Sequence, residues 1–127
     1  MTYGFSRTVP HSVEAAIARV TDELQKEGFG VLTTIDVKET MKKKLGIDFP
    51  KYVILGACNP PLAHRALQAE EQIGLLLPCN VIVYEKEGTT TVGVFDPMLM
   101  SVLLENESIR PIAEAVREKL ERVLAAV

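Results

Sequence analysis

Apolar and polar positions alternate with a period of two at the start of the chain. Tyr3, Phe5, Arg7 and Val9 fall on one side and Gly4, Ser6 and Thr8 on the other, which predicts a strand with one apolar and one polar face. From Val13 the period lengthens: Val13, Ala16, Ile17, Val20 and Leu24 mark one face of a helix, with Ser12 as its N-cap and Gly28 as its C′ residue. Residues 29–35 predict a second strand. Asp36 and Glu39 then form a capping box for a short helix that turns Val37, Met41 and Leu45 inward and ends at Gly46.

The middle of the chain is the most structured pattern. Residues 52–57 are a short apolar run that predicts a largely buried strand. Asn59 stands where an N-cap belongs, and Pro60 occupies the first helical position, where a missing N–H costs nothing. Steps of 100° put Leu62, Ala63, Ala66, Leu67, Ala69 and Ile73 on one arc of the helix and His64, Arg65, Gln68, Glu71 and Gln72 on the other, with Gly74 as C′ residue. Glu70 falls inside the apolar arc. Residues 79–85 read as the next strand, and 81–85 pair with 89–95 as a hairpin across Lys86-Glu87-Gly88, Gly93 marking a bulge or a close backbone approach. Asp96-Pro97 opens an almost wholly apolar segment, 98–104, dense enough to be deeply buried or to line a cavity or interface. Ser108 caps a last helix with Ile109, Ile112, Ala113, Val116, Leu120, Val123, Leu124 and Val127 inward, laced by the pairs Arg117–Glu121 and Glu118–Arg122.

The polar side of the first strand argues against a sheet covered on both faces, because doubly covered parallel strands read as continuous apolar runs. The order of elements therefore predicts an α+β fold of two layers: a mixed or antiparallel sheet of about five strands with helices mainly on one face. The uncovered face, carrying Gly, Ser and Thr, is a surface on which a second copy can pair, so a homodimer is the expected assembly.

Composition narrows the partners. The 127 residues, 47% hydrophobic and 24% charged, suit a single domain over 1–127. A net charge of −3 offers no general attraction to phosphate backbones, and Lys42-Lys43-Lys44 reads as the solvated side of a short helix, so no nucleic-acid partner is expected. No apolar run approaches the roughly 20 residues a membrane helix needs. Two cysteines without a secretory leader imply reduced thiols and a cytoplasmic location. Gly28-Phe29-Gly30 precedes a strand rather than a helix and reads as helix termination, so no nucleotide or other cofactor is implied. His11 reads as part of a surface turn.

A carboxylate on the core side of a helix must be neutralised, paired or hydrogen-bonded, which makes Glu70 a candidate for the lining of a pocket between helix and sheet. Cys58 lies at a strand-to-helix corner, near helix N–H groups that favour a thiolate, and Cys79 opens the following strand. Their separation matches no standard zinc spacing. Parallel strands would hold the thiols at opposite ends of the sheet; antiparallel strands would bring them together. The expected site is Cys58, Asn59, Glu70, Cys79 and Asn80, binding a small, partly apolar ligand without catalysis. Two alternatives stay open: a thiol-dependent enzyme with Cys58 as nucleophile and Glu70 or His64 as base, and a metal-binding domain using Cys58 and Cys79 with Glu70 or His64.

The words GACNPPLAHRAL and GLLLPCNVIVYE resemble the signature of the small "domain of unknown function 302" family. The resemblance implies that Cys58, Asn59, Pro60, Leu67, Glu70, Leu76, Leu77, Pro78, Cys79 and Asn80 occupy that family's characteristic positions. His64 stands outside the pattern. It implies no particular reaction, since the family carries none that is established.

Overall fold

In the computed structural model, which describes residues 2–127, strands β1 (Gly4–Val9), β2 (Gly30–Asp36), β3 (Tyr52–Cys58), β4 (Cys79–Lys86) and β5 (Thr89–Phe95) form one sheet. Its order is β1-β5-β4-β3-β2, and every neighbouring pair is antiparallel. Helices α1 (Val13–Lys26) and α5 (Ile109–Ala126) lie against β5, with α3 (Pro60–Ala69) beside α5. α2 (Val37–Leu45) follows β2, α4 (Met98–Leu103) precedes α5, and a 3-10 helix spans Glu71–Leu76. The predicted α+β fold is present, its sheet antiparallel throughout.

Strand alternation builds the core. Val53 and Leu55 of β3, Val81 and Val83 of β4 and Val92 and Val94 of β5 point at the helices and are buried, meeting Val20 and Leu24 of α1 and Leu120 and Val123 of α5. Each such side chain contributes roughly 1.5–3 kcal/mol relative to exposure. The predicted caps of three helices hold: Ser12 Oγ accepts from the Ala15 N–H at 3.1 Å, Asp36 Oδ1 from the Glu39 N–H at 3.0 Å, and Asn59 Oδ1 from the Leu62 N–H at 3.3 Å. Arg7, on the helix side of β1, donates to the carbonyls of Leu124 and Ala125 at 3.2 and 2.9 Å, placing a cation at the C-terminal end of α5.

Several elements depart from the sequence pattern. α2 forms but buries none of its residues: Val37 and Met41 are half-buried and Leu45 is 66% exposed. Its expected inward face meets β2 and β3 without being covered, because α2 follows an edge strand instead of joining the helix layer. α3 stops at Ala69, four residues before Ile73. Glu70 turns extended (φ −147°, ψ 101°), and Asn106 Nδ2 donates to the Ala69 carbonyl at 2.7 Å, taking an acceptor that a longer helix would use. Ser108 makes no side-chain cap; Asn106 Oδ1 accepts from the Ser108 N–H at 3.0 Å in its place. Arg117 pairs with Glu121 as expected, whereas Arg122 turns from Glu118 to hold Glu27 at 2.8 Å. The hairpin loop is the dipeptide Glu87-Gly88, both with positive φ (53° and 77°), the geometry of the tightest hairpins.

The other face of the sheet is open. Ser6, Gly93, Ile82, Ile54 and Ile35 form a row across all five strands, and Thr8, Thr91, Tyr84 and Tyr52 form the next. Gly93 marks a close approach and not a bulge: a Cβ there would lie 2.9 Å from Ile82 Cγ1, so its absence lets Ile82 lie across the strand. The bulge is in β2, between Val31 and Thr33.

Candidate functional site

Two turns frame one end of the sheet. β3 runs into α3 through Cys58 and Asn59, and the chain returns into β4 through Leu77, Pro78 and Cys79, the Leu77–Pro78 peptide being cis. The antiparallel register pairs Ala57 with Cys79 and Gly56 with Asn80, so the two cysteines share this end. Of the two arrangements left open by the sequence, the structure takes the one that brings them together.

Asn59 is the joint of this corner. Its Oδ1 accepts from the Leu62 N–H at 3.3 Å, capping α3, while its Nδ2 donates to the Glu27 carbonyl at 3.2 Å at the end of α1. The side chain is only 8% exposed, and both hydrogen bonds are needed to hold a buried amide without loss. It therefore fixes the angle at which α3 leaves the sheet.

Behind that joint lies a cavity of about 320 Å³ between α3, α5 and the sheet end. Phe29, Leu62, Ala66, Leu77, Met100 and Val116 form most of its wall, and Cys58, Asn59, Cys79 and Thr33 supply its polar atoms. No Asp, Glu, Lys, Arg or His lines it. Leu32, pushed out at the β2 bulge and 67% exposed, and Leu67, 44% exposed, stand where the cavity meets the surface. Larger hollows between the exposed charged side chains of α1 and beneath α2 have no comparable apolar wall.

The thiols differ in character. Burial first, and the nearness of Cys58 second, push the Cys79 thiol up to about 11, so it is neutral at physiological pH. Cys58 is half-buried at the N-terminal side of α3. Cys79 stands opposite Ala57, and Cys58 has the opposite strand parity, so the two are close without being a cross-strand pair. Both are free thiols.

Of the five residues expected at the site, the structure brings Cys58, Asn59 and Cys79 to the cavity wall. Glu70 and Asn80 lie elsewhere. Glu70 is the C-cap residue of α3, half-buried, with its Oε1 accepting from Asn106 Nδ2 at 3.3 Å, so the helix break turns it off the apolar arc. Asn80 pairs with Gly56 on the open face and is exposed. His64 is on the exposed side of α3. Among the described residues, no three His, Cys, Asp or Glu side chains gather closely enough to hold a metal ion. Thr33 and Val116 carry no local signal of a site, because a bulge and a distant helix place them, whereas Met100 lies in the apolar segment 98–104, whose density allows a cavity wall.

The matching family model, described as domain of unknown function DUF302, covers residues 5–127. The chain belongs to the DUF302 family. Its fold closely matches the crystal structure of an uncharacterised conserved DUF302 protein from Bacillus stearothermophilus: the two are 31% identical, the match covers 99% of this chain and 98% of the other, and the TM-score is 0.92. None of the curated proteins matches. Cys58, Asn59, Leu67, Leu77, Pro78 and Cys79, from the two sequence words that carry the resemblance, all touch the cavity, which gives those words a common location in space. Among the described residues, no helix is long and apolar enough to cross a membrane.

Proposed function

We propose that this DUF302 protein is a non-catalytic binding module that takes a small, mostly apolar molecule into the cavity behind Cys58 and Asn59, and that it acts as a cytoplasmic homodimer. The observation that carries the binding reading is the wall itself: an apolar hollow, open to the surface beside Leu32 and Leu67, without a single charged side chain. A volume of about 320 Å³ falls at the lower end of small-molecule sites. It is about twice the roughly 150 Å³ engineered cavity that stays dry and takes up benzene, so a naphthalene-sized or medium-chain aliphatic ligand fits. The Cys58 thiol and Thr33 hydroxyl offer one weak polar end, which suits a neutral ligand bearing a hydroxyl or carbonyl.

Ala63 lines the cavity from α3 and is half-buried, so Ala63→Phe fills the space with little strain. Titration with 1-naphthol, followed by thermal unfolding, is expected to stabilise the native protein by several degrees and to leave Ala63→Phe unmoved. Equal shifts in both proteins, or none across 1-naphthol, octanol and octanal, overturn the reading.

The thiol-enzyme alternative has one observation in its favour, the position of Cys58 beside the α3 N-terminus at the cavity wall. It lacks a base, since neither Glu70 nor His64 reaches that wall. Iodoacetamide labelling separates the readings: a Cys58 that reacts faster than free cysteine at neutral pH favours the enzyme.

A further inference from the structure

We infer that the open face of the sheet is the surface through which two copies of this chain pair. Apart from Lys86 at the hairpin end, no side chain within the strands on that face is charged. The molecule carries 24% charged residues overall, so a five-strand face almost free of them is a selective depletion, the compositional mark of an interface centre. A ridge of Ile82, Ile54 and Ile35 crosses its middle, with Ile35 47% exposed although its row neighbours are apolar. Beside the ridge the rings of Tyr52 and Tyr84 stack at 5.4 Å, and Phe49 meets Tyr52 edge-on at 6.4 Å.

α2 is the second, separate observation. A helix of nine residues that meets β2 and β3 yet buries no side chain fully has little of the tertiary packing that normally sustains so short an element. Its stripe Val37, Met41, Leu45 continues into Ile47, 46% exposed, and the chain then brings Phe49 onto the open face. The apolar stripe, left only half-buried at Val37 and Met41 within one copy, thus leads through Ile47 and Phe49 to the open sheet face.

Only one occupant satisfies both. Each chain is net negative, so a charged surface would repel its copy, whereas an uncharged flat face meets itself about a two-fold axis without conflict. Five strands of about six residues span about 24 by 20 Å, near 500 Å² per copy, and α2 adds about 150 Å². Two copies then bury about 1,300 Å², above the roughly 1,000 Å² a specific interface needs and within the standard range. The sheets would stack about 10 Å apart, as in a sandwich.

Sedimentation velocity of the full chain tests this. The wild type is expected to run at twice the 14.0 kDa chain mass, and Ile82→Glu at the single-chain mass with an unchanged far-ultraviolet spectrum. Ser6→Glu, on the exposed edge strand, introduces the same charge where folding does not depend on the side chain, and is expected to dissociate the pair as well. A wild type that runs at the single-chain mass, or a pair that survives both substitutions, overturns the inference; a single-chain wild type that captures a different protein or a lipid vesicle through this face does so too. Ala63→Phe is expected to remain paired, so loss of ligand binding and loss of pairing are read separately.

Discussion

Cys79 is 6% exposed and faces Ala57 across β3 and β4. Burial, reinforced by Cys58, moves its thiol from an ordinary 9.0 to about 11. The folded protein therefore holds this proton more tightly than the unfolded chain does. That advantage is intact below about pH 9 and is lost as the pH climbs towards 11, because unfolding then releases a proton the native state retains. Two pH units correspond to about 3 kcal/mol at the limit, and about 2 kcal/mol by pH 10.5, a large share of a typical domain stability of about 5–15 kcal/mol. Cys79→Ala removes the titration while costing a roughly constant amount for its small cavity. Urea unfolding of both proteins at about pH 7 and about pH 10.5 isolates the effect: the wild type is expected to lose about 2 kcal/mol more than the variant over that interval. Equal losses in the two proteins would refute the placement of Cys79 as a buried neutral thiol. A matching kinetic sign is that iodoacetamide labels Cys58 in the native state and reaches Cys79 only on unfolding.

Gly56→Ala is expected to cost about 1–3 kcal/mol in urea unfolding, since the new methyl would lie 2.8 Å from Pro78 Cγ and press on the Thr33 hydroxyl; a neutral result would mean that the β4 entry turn yields. Arg7→Met should lower stability by about 1 kcal/mol and speed amide exchange in the last turn of α5, because two carbonyls lose their cationic donor. The Arg122 guanidinium holds the Glu27 carboxyl below the usual carboxylate range, so its contribution is present at neutral pH and fades as pH falls through that lowered value. Glu27→Gln is accordingly expected to destabilise at neutral pH and to flatten the acid limb of the stability curve, measured by thermal unfolding in steps of pH.

The elements with a full amphipathic signature were legible from the residues alone. α1 and α5 follow their apolar stripes, and the sheet follows its alternation, because in both the pattern is long and the layer it faces is the main core. The misreadings of α3 and Glu70 share a cause: both answered to a partner distant in sequence. α3 carries helix-forming residues past Ala69 and stops because Asn106 arrives from the α4–α5 loop to take the last carbonyl. That break rotates Glu70 away from the apolar arc, so the carboxylate that looked most diagnostic in the sequence pairs with the same asparagine instead of lining the cavity.

The site shows the same division at finer scale. Cys58 and Asn59 could be expected together because caps and turns are local, whereas the sequence left open whether Cys79 joins them, since that depended on the direction in which the strands pair. What makes a cavity there is not local. Thr33 arrives through a bulge, and Met100 and Val116 from helices about forty or more positions along the chain from Cys58. α2 is the reverse case, an apolar stripe plainly legible in the sequence and only half-buried in the fold. A pattern that correctly forms its helix yet fails to find its layer is information about what lies outside the single chain, since the stripe Val37, Met41, Leu45 requires burial as much as that of α1 does.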